Sequence, residues 1–359
     1  MLVAFNSAAD LPGCLDALLP TLGPDDEVLV FDNASSDGSG ALAEARGVRV
    51  VRSEENAGFG GANNRAAAFA RGRWLVFLNP DTVVEPGWLD PLLAPLATGP
   101  GMATAKLLLM ERPELIDTCG NAVHLSGITV CRGYGRPAGR LAEPERLLAV
   151  SGACFAIDRA SFERLGGFDE RFFMYLEDTD LSLRAALAGL PCWFAPASRV
   201  RHRHAPGFAP RKLYWLERNR YVMLVKLWSA RTLLGLLPHL ALMELLVWCY
   251  ALLRGREALA AKRDAWRWLA DHVRLALVAR RGAQRLRRVP DAELLALCSW
   301  RLDLAELVGS PWLRPWAELL LAGPFGAAQL WLRLVVGQRA VERGVLGGGA
   351  RPGEAAGAR

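Results

Sequence analysis

Four apolar runs in the first eighty residues each stop at a polar residue, and this regularity constrains the fold more than any other feature of the chain. The runs at 2–5, 27–31, 48–51 and 74–78 have the length of strands, and helix-length segments at 11–19, 36–45 and 60–70 lie between them. Ser7 and Asp10 stand before the first helical segment as possible caps. Strands alternating with short helices predict βαβ units and a mostly parallel sheet. Ligands of such sheets sit at the carboxyl ends of the strands. Those ends carry Asn6, Asp32 with Asn33, residues 53–56, and Asn79-Pro80-Asp81.

From 102 to 148 the pattern loosens into short strands and Gly/Pro-rich loops, then recovers as a strand at 149–157 and a helix at 159–165. The run GGFDERFFMYLEDTDLSLRAALAGL crosses from a loop into a helix that starts near Asp178 or Thr179 and stops at Gly189. Short strands are expected at 191–195 and 198–201.

Composition changes after about residue 220. Residues 233–253 hold only His239 and Glu244 as acidic or basic side chains, with Pro238 among the apolar residues, which is close to the length of a membrane span. A glutamate there costs about 2–3 kcal/mol on insertion scales, and a proline kinks a helix. In 258–289, Trp266, Leu269, Val273 and Leu277 recur at helical spacing with arginines expected on the other face, as in a helix lying in a lipid interface. A further apolar segment, 312–336, is interrupted by Arg314, Glu318 and Arg333. Surface association is favoured over a true span, and a helical subdomain packed on the preceding domain is the alternative. The boundaries predicted are 1–225 for an α/β domain, 226–345 for a helical region, and 346–359 for a low-complexity, disordered tail.

With 52% hydrophobic and 22% charged residues among 359, the chain is not a disordered protein. Its net charge of +6 is uneven. From Arg254 to Arg288 eleven Lys or Arg stand against Glu257, Asp264 and Asp271, which makes that stretch +8. Anionic lipid and nucleic acid both suit such a block. No nucleic-acid module or aromatic platform surrounds it, so nucleic acid is not expected as a partner. Seven cysteines without a C-x-x-C pair predict reduced thiols in a cytoplasmic compartment. No signal-peptide pattern opens the chain, which begins almost inside a strand.

Five constellations carry possible chemistry, and each has a plainer alternative. Asp32 ends a strand, where its carboxylate can accept from the N3–H of uracil or thymine; an Asx-turn at Asp32 or Asn33 explains it equally. In SEENAGFGGANNRA, Gly58, Gly60 and Gly61 let backbone amides approach an anion, with Asn63 and Asn64 as further donors; an ordinary loop-to-helix turn does the same. Asn79-Pro80-Asp81 is a turn by composition, but one carboxylate with a diphosphate suffices for Mg²⁺ or Mn²⁺. Glu177, Asp178 and Asp180 crowd a helix start, where a carboxylate can serve as general base or merely favour the helix dipole. Asp180 and Arg184 have the spacing of an i,i+4 salt bridge. In RVRHRHAPG, His202 and His204 follow a strand, as a metal or phosphate contact or as a solvated loop.

In this order, AFNSAADLPGCLDALL, VLVFDNASSDGS, NAGFGGANN, FLNPDTVVEPGWL, SGACFAIDRASFERLGGFDERFF and MYLEDTDLSLR resemble the family 2 glycosyltransferases of GT-A fold, especially the rhamnosyltransferase-like branch. The resemblance covers roughly residues 1–225. It implies a Rossmann-like catalytic domain, followed here by the helical, membrane-associating region. It further implies that Asp32 recognises the base, and that Asn6 and Asn33 border the nucleoside. Asn56, Gly58 and Asn64 would then line the ribose and diphosphate. Asn79 and Asp81 stand at the family's D-x-D motif, whose first Asp is an Asn here, leaving Asp81 as the metal-binding carboxylate and Asn79 as a neutral contact. Asp178 matches the catalytic base, Glu177 an acceptor-positioning group, and His202 a histidine that completes the metal shell or touches the diphosphate.

The implied activity is inverting transfer from a nucleoside-diphosphate sugar, dTDP-L-rhamnose first, with Mg²⁺ or Mn²⁺. The implied acceptor is a hydroxyl of a surface glycan, free or polyprenyl-diphosphate-linked, reached from the inner face of the cytoplasmic membrane. A UDP-sugar donor (galactofuranose, glucose or N-acetylglucosamine) is the nearer alternative. A non-catalytic sugar-nucleotide or glycan-binding scaffold is the more distant one.

Overall fold

The computed structural model describes residues 1–203, 209–305 and 312–337. The tail expected to be disordered, 346–359, lies outside them, as does His204. Three parallel strands open the chain: β1 (Leu2–Ala4), β2 (Leu29–Asn33) and β3 (Arg49–Ser53), ordered β1-β2-β3. Helices α1 (Leu11–Leu18), α2 (Ser39–Glu44) and α3 (Gly58–Phe69) connect them to one another and to β4 (Trp74–Leu78). Backbone bonds join β1 to β4, with Leu78 N donating to Met1 O at 3.1 Å, so the parallel strands continue into a second sheet.

That second sheet contains β5 (Thr82–Val84), β6 (Met102–Leu109), β7 (Arg112–Thr118), β10 (Glu145–Leu147), β11 (Cys154–Asp158) and β12 (Cys192–His202), with β8 (Asn121–Val123) and β9 (Thr129–Cys131) forming a separate hairpin. Its order is β10-β12-β6-β11-β4, and β5 and β7 pair with β12 and β6. The parallel pairing expected of most of the sheet holds for β1–β3 and for β6 with β12, while the other strand pairs within the second sheet are antiparallel. The loosely patterned stretch thus contains a central strand, β6, all eight residues of which are buried. The two short strands expected at 191–201 form one strand whose register shifts between Ala195 and Arg199.

Both faces of the sheet are covered. On one, α1 and α4 (Leu89–Ala97) bury Leu15, Trp88 and Leu92 against Val30 and Leu107. On the other, Phe77 stacks on Phe155 at 4.6 Å and meets Phe162 and Phe168 beneath α5 (Arg159–Leu165) and α6 (Glu177–Leu187). Truncating a buried Phe of this kind costs about 3–5 kcal/mol.

Helices α7 (Pro210–Leu227), α8 (Ala230–Arg254), α9 (Arg256–Asp271), α10 (Val273–Arg285), α11 (Asp291–Leu295) and α12 (Leu313–Val336) complete the described chain. The boundary expected at 225 falls near the end of α7. The amphipathic stretch breaks at His272, and most of its apolar stripe faces outward. Trp266, Val273 and Leu277 are exposed, whereas Ala258, Lys262, Ala265, Ala276, Ala279 and Ala283 are buried. Small residues let α9 and α10 approach α7 closely, and Lys262 is drawn inward because Glu217 of α7 accepts from it.

Candidate active site

The three-residue turn 151–153, between β10 and β11, touches two of the sequence-predicted groups at once. Ala153 O accepts from Asn79 N at 2.9 Å, and Gly152 N donates to Asp178 Oδ2 at 2.7 Å. The Asn-Pro-Asp loop after β4 and the acidic start of α6 are therefore fixed against the same turn. A Cβ at Gly152 would sit 3.2 Å from Asp178 Oδ2, tighter than most such contacts, so glycine suits this approach.

Strand pairing assembles the other half of the site. His202 ends β12 and lies opposite Thr82 of β5, which brings it beside Asp81. Its Nε2 is 3.6 Å from Asp81 Oδ1, and its Nδ1 is 2.7 Å from Asp117 Oδ2. Asp117 comes from β7, on the far side of β6, so three neighbouring strand pairings make the Asp81–His202–Asp117 row. Burial works to lower the His202 pKa, but the Asp117 hydrogen bond and the charges of Asp117 and Asp81 raise it on balance. Burial raises the Asp81 carboxyl above its ordinary range. Asp81 Oδ1 is buried without a hydrogen-bond partner. A carboxylate oxygen in that condition, next to a histidine whose other nitrogen is held by a carboxylate, has the donor set of a divalent-cation site. Among the described residues no group of three or more His, Cys, Asp or Glu is assembled for a metal. Any ion here would complete its shell from water and substrate oxygens.

Asp178 accepts from four donors: Gly152 N, Asn121 Nδ2 at 2.9 Å, Thr179 N at 2.6 Å and Thr179 Oγ1 at 3.2 Å. Burial raises its pKa against the pull of those bonds. Glu177 is buried with Oε2 unpartnered, and burial together with the neighbouring Asp178 charge pushes its carboxyl up to about 8. Asp180 takes the plainer role the sequence allowed. It is fully buried and pairs with Arg184 at 2.8 Å and Lys226 at 2.8 Å.

Around the ends of β2 and β3 the asparagines shape a loop. Asn33 Nδ2 donates to Asn56 Oδ1, Ala57 N donates to Asn33 Oδ1, and Gly58 N donates to Asn56 Oδ1, each at 2.9 Å. Gly58 has φ +72°, and a side chain there would collide with Phe173 O. The Asx-turn at Asp32 is present, with Ser35 N donating to Oδ1 at 3.0 Å. Asn6 Oδ1 accepts from Ser36 N at 2.9 Å, which ties the first strand end to the second.

Asn64 does not fit the role given it. Its amide donates to Phe168 O at 2.9 Å and Glu170 Oε1 at 3.0 Å, and its oxygen accepts from Phe168 N at 2.8 Å. Both hydrogens are committed to the loop before α6, which leaves none for a diphosphate. Asp117, Asn121 and Gly152 were not singled out from the sequence. The only local signal among them was the glycine.

The fold is that of a GT-A glycosyltransferase. The structure of GalNAc-T7 with UDP, GalNAc and Mn²⁺ superposes with a TM-score of 0.54 at 22% identity, over 64% of this chain and 47% of that one. Residues 1–166 match the model of glycosyl transferase family 2. Through that segment the chain is similar to the family 2 glycosyltransferases, and relatives it matches include a rhamnosyltransferase and an O-antigen biosynthesis protein. It is 29% identical over 252 residues to the N-acetylglucosaminyl-diphospho-decaprenol L-rhamnosyltransferase of Mycobacterium tuberculosis, covering 59% of this chain and 82% of that protein. It is 31% identical over 239 residues to the O-antigen biosynthesis protein RfbC of Myxococcus xanthus, covering 62% of this chain and 19% of that protein.

Proposed function

We propose that this glycosyltransferase moves a sugar, with inversion, from a nucleoside-diphosphate sugar to a hydroxyl of a lipid-linked surface glycan. dTDP-L-rhamnose is the favoured donor and a GlcNAc-diphosphate lipid the favoured acceptor, in keeping with the name of the Mycobacterium tuberculosis relative. The observation that carries the reading is the turn 151–153, which holds the Asp81 loop and Asp178 at one place.

In this reading Asp178 receives the proton of the acceptor hydroxyl as its oxygen attacks the anomeric carbon. The C–O bond to the diphosphate breaks on the opposite face. Gly152 N, Asn121 and Thr179 aim the carboxylate, and burial raises its affinity for the proton. Asp32 and the Asn33–Asn56–Gly58 loop receive the nucleoside and diphosphate, and Glu177 borders the acceptor. Asp81 and His202 would hold Mg²⁺ or Mn²⁺, which when bound offsets the charge gathering on the departing diphosphate.

The C-terminal helices serve, in this reading, to keep the enzyme on the membrane surface where a polyprenyl carrier lies. α8 and α12 are long and apolar enough to cross a membrane. Glu244, however, points from α8 into a cluster with Lys262 at 2.9 Å, Arg220 at 3.4 Å, Trp266 at 2.7 Å and Tyr221. His239 is buried beside His124 and Phe325. Crossing a bilayer would pull both groups from those partners, whereas lying in one leaflet leaves them in place.

The test is a thermal-shift panel of dTDP- and UDP-sugars with and without Mn²⁺, followed by transfer to a synthetic GlcNAc-diphosphate lipid. A Mn²⁺-dependent rise in melting temperature with dTDP-L-rhamnose, and transfer abolished by Asp178→Asn, are expected. Undiminished transfer by Asp178→Asn would refute the mechanism.

A further inference from the structure

The segment leading into Asp178 has an unusual backbone. Phe173, Tyr175 and Leu176 have φ of 60°, 68° and 66°, three non-glycine residues within four positions with positive φ. That conformation is costly for residues with a Cβ and persists only where the surroundings enforce it. The enforcement comes from α7. Asn219 Nδ2 lies 3.0, 2.9 and 2.8 Å from the carbonyl oxygens of Phe172, Met174 and Tyr175, so two amide hydrogens serve three converging acceptors. Asn219 Oδ1 in turn accepts from Arg218 Nε at 2.9 Å, which fixes which way the amide faces. Arg218 Nη2 reaches Phe172 O at 3.0 Å and also Arg171 O. Its guanidinium lies between the rings of Trp215 and Trp268, at 4.1 and 4.4 Å. From the opposite side, Phe59 N at the start of α3 donates to Phe173 O at 2.7 Å.

The loop 173–176 is therefore clasped between the glycine segment assigned to the nucleotide and a pair of side chains on α7. It leads directly into Glu177 and Asp178. Asn219 is buried, hydrogen-bonds neither carboxylate and has both amide hydrogens in use. Met174, by contrast, is exposed at the loop's crest. We infer that Asn219 is a positioning residue for the acceptor: it holds residues 173–176 in the positive-φ form that presents Met174 and Tyr175 to the incoming hydroxyl-bearing sugar. This rests on the assignment of Asp178 as the base under Proposed function, and extends it to a residue of the helical region.

The experiment compares Asn219→Ala and the near-isosteric Asn219→Asp with the unaltered full chain. Asn219→Asp replaces the donor by a carboxylate facing three carbonyls. Hydrogen exchange of amides 173–177 should quicken at least tenfold in both variants, with amides of β6 and β11 unchanged. In transfer from dTDP-L-rhamnose to a synthetic GlcNAc-diphosphate lipid, the acceptor KM should rise about tenfold or more while the donor KM changes less than twofold. A merely structural residue would move both KM values together, or neither, and either result would overturn the assignment. Unchanged exchange at 173–177 would overturn the clasp itself. Absence of transfer by the unaltered protein across the donor panel would instead sink the function reading on which the acceptor role depends.

Discussion

Residues 1–203 and the helices that follow Pro210 bury charge in opposite ways. In the α/β part, Asp81 Oδ1 and Glu177 Oε2 are buried without partners, beside a histidine and a second carboxylate. In the helical part, Glu217, Arg220 and Lys262 are buried as deeply but bonded to one another and to Glu244. The apolar residues divide the other way. Phe77, Phe155 and Leu107 are inside the sheet's core, while Leu253, Trp312, Trp316, Leu320 and Leu334 project from α8 and α12. An unpaired buried acid is costly unless something arrives to use it, which marks a site. A fully paired buried cluster fixes helices to one another, which leaves their outward leucines for another apolar phase.

This contrast can be broken at several points. Asp178→Asn should lower transfer by roughly 10³-fold while nucleotide-sugar binding, read by thermal shift, is kept; an equal loss of binding would make Asp178 a structural acid. Lys262→Met should destabilise the fold by about 1–3 kcal/mol in urea unfolding, because Glu217 and Glu244 are then left to share the Arg220 cation. Asp117→Asn should weaken Mn²⁺-dependent stabilisation by nucleotide by about 10–100-fold, since His202 loses the group that orients it.

Glu177 sharpens the comparison through pH. Its folded-state pKa of about 8 lies above the ordinary carboxyl value, so the stability associated with its proton is present at acid pH and lost as pH rises toward and through 8. Glu177→Gln should flatten that decline between about pH 5 and 8, by up to roughly 3 kcal/mol. Replacing Trp316, Leu319 and Leu320 by serine should be the mildest change in solution, roughly 0.5 kcal/mol or less per site. The same variant should float poorly with anionic vesicles, and undiminished flotation would remove these residues from the membrane contact.

Much of the α/β part was legible because its information is local. A strand that stops at Asp32 or Asp81 announces itself within five residues, and so does an acidic helix start at Glu177. Asp117 and Asn121 were not legible, because each acts across more than fifty residues of chain: Asp117 on His202, Asn121 on Asp178. Their own neighbourhood carries no period that a rule could catch. Asn64 misled for the same reason, its partners being Phe168 and Glu170. In the helical part the spacing of Trp266, Val273 and Leu277 gave a stripe, and those three residues are exposed. Spacing gives a face, but whether that face meets protein depends on its neighbours, and here alanines and one paired lysine made the closer fit.

The turn at 151–153 has a consequence for how this enzyme can change over time. One short stretch of backbone sets the spacing between the strand end bearing Asp81 and the helix start bearing Asp178. An insertion or deletion there would shift both at once, so the gauge of the cleft is inherited rather than adjustable. New sugars would have to be accommodated by side chains around the site, within a gap whose width that turn sets.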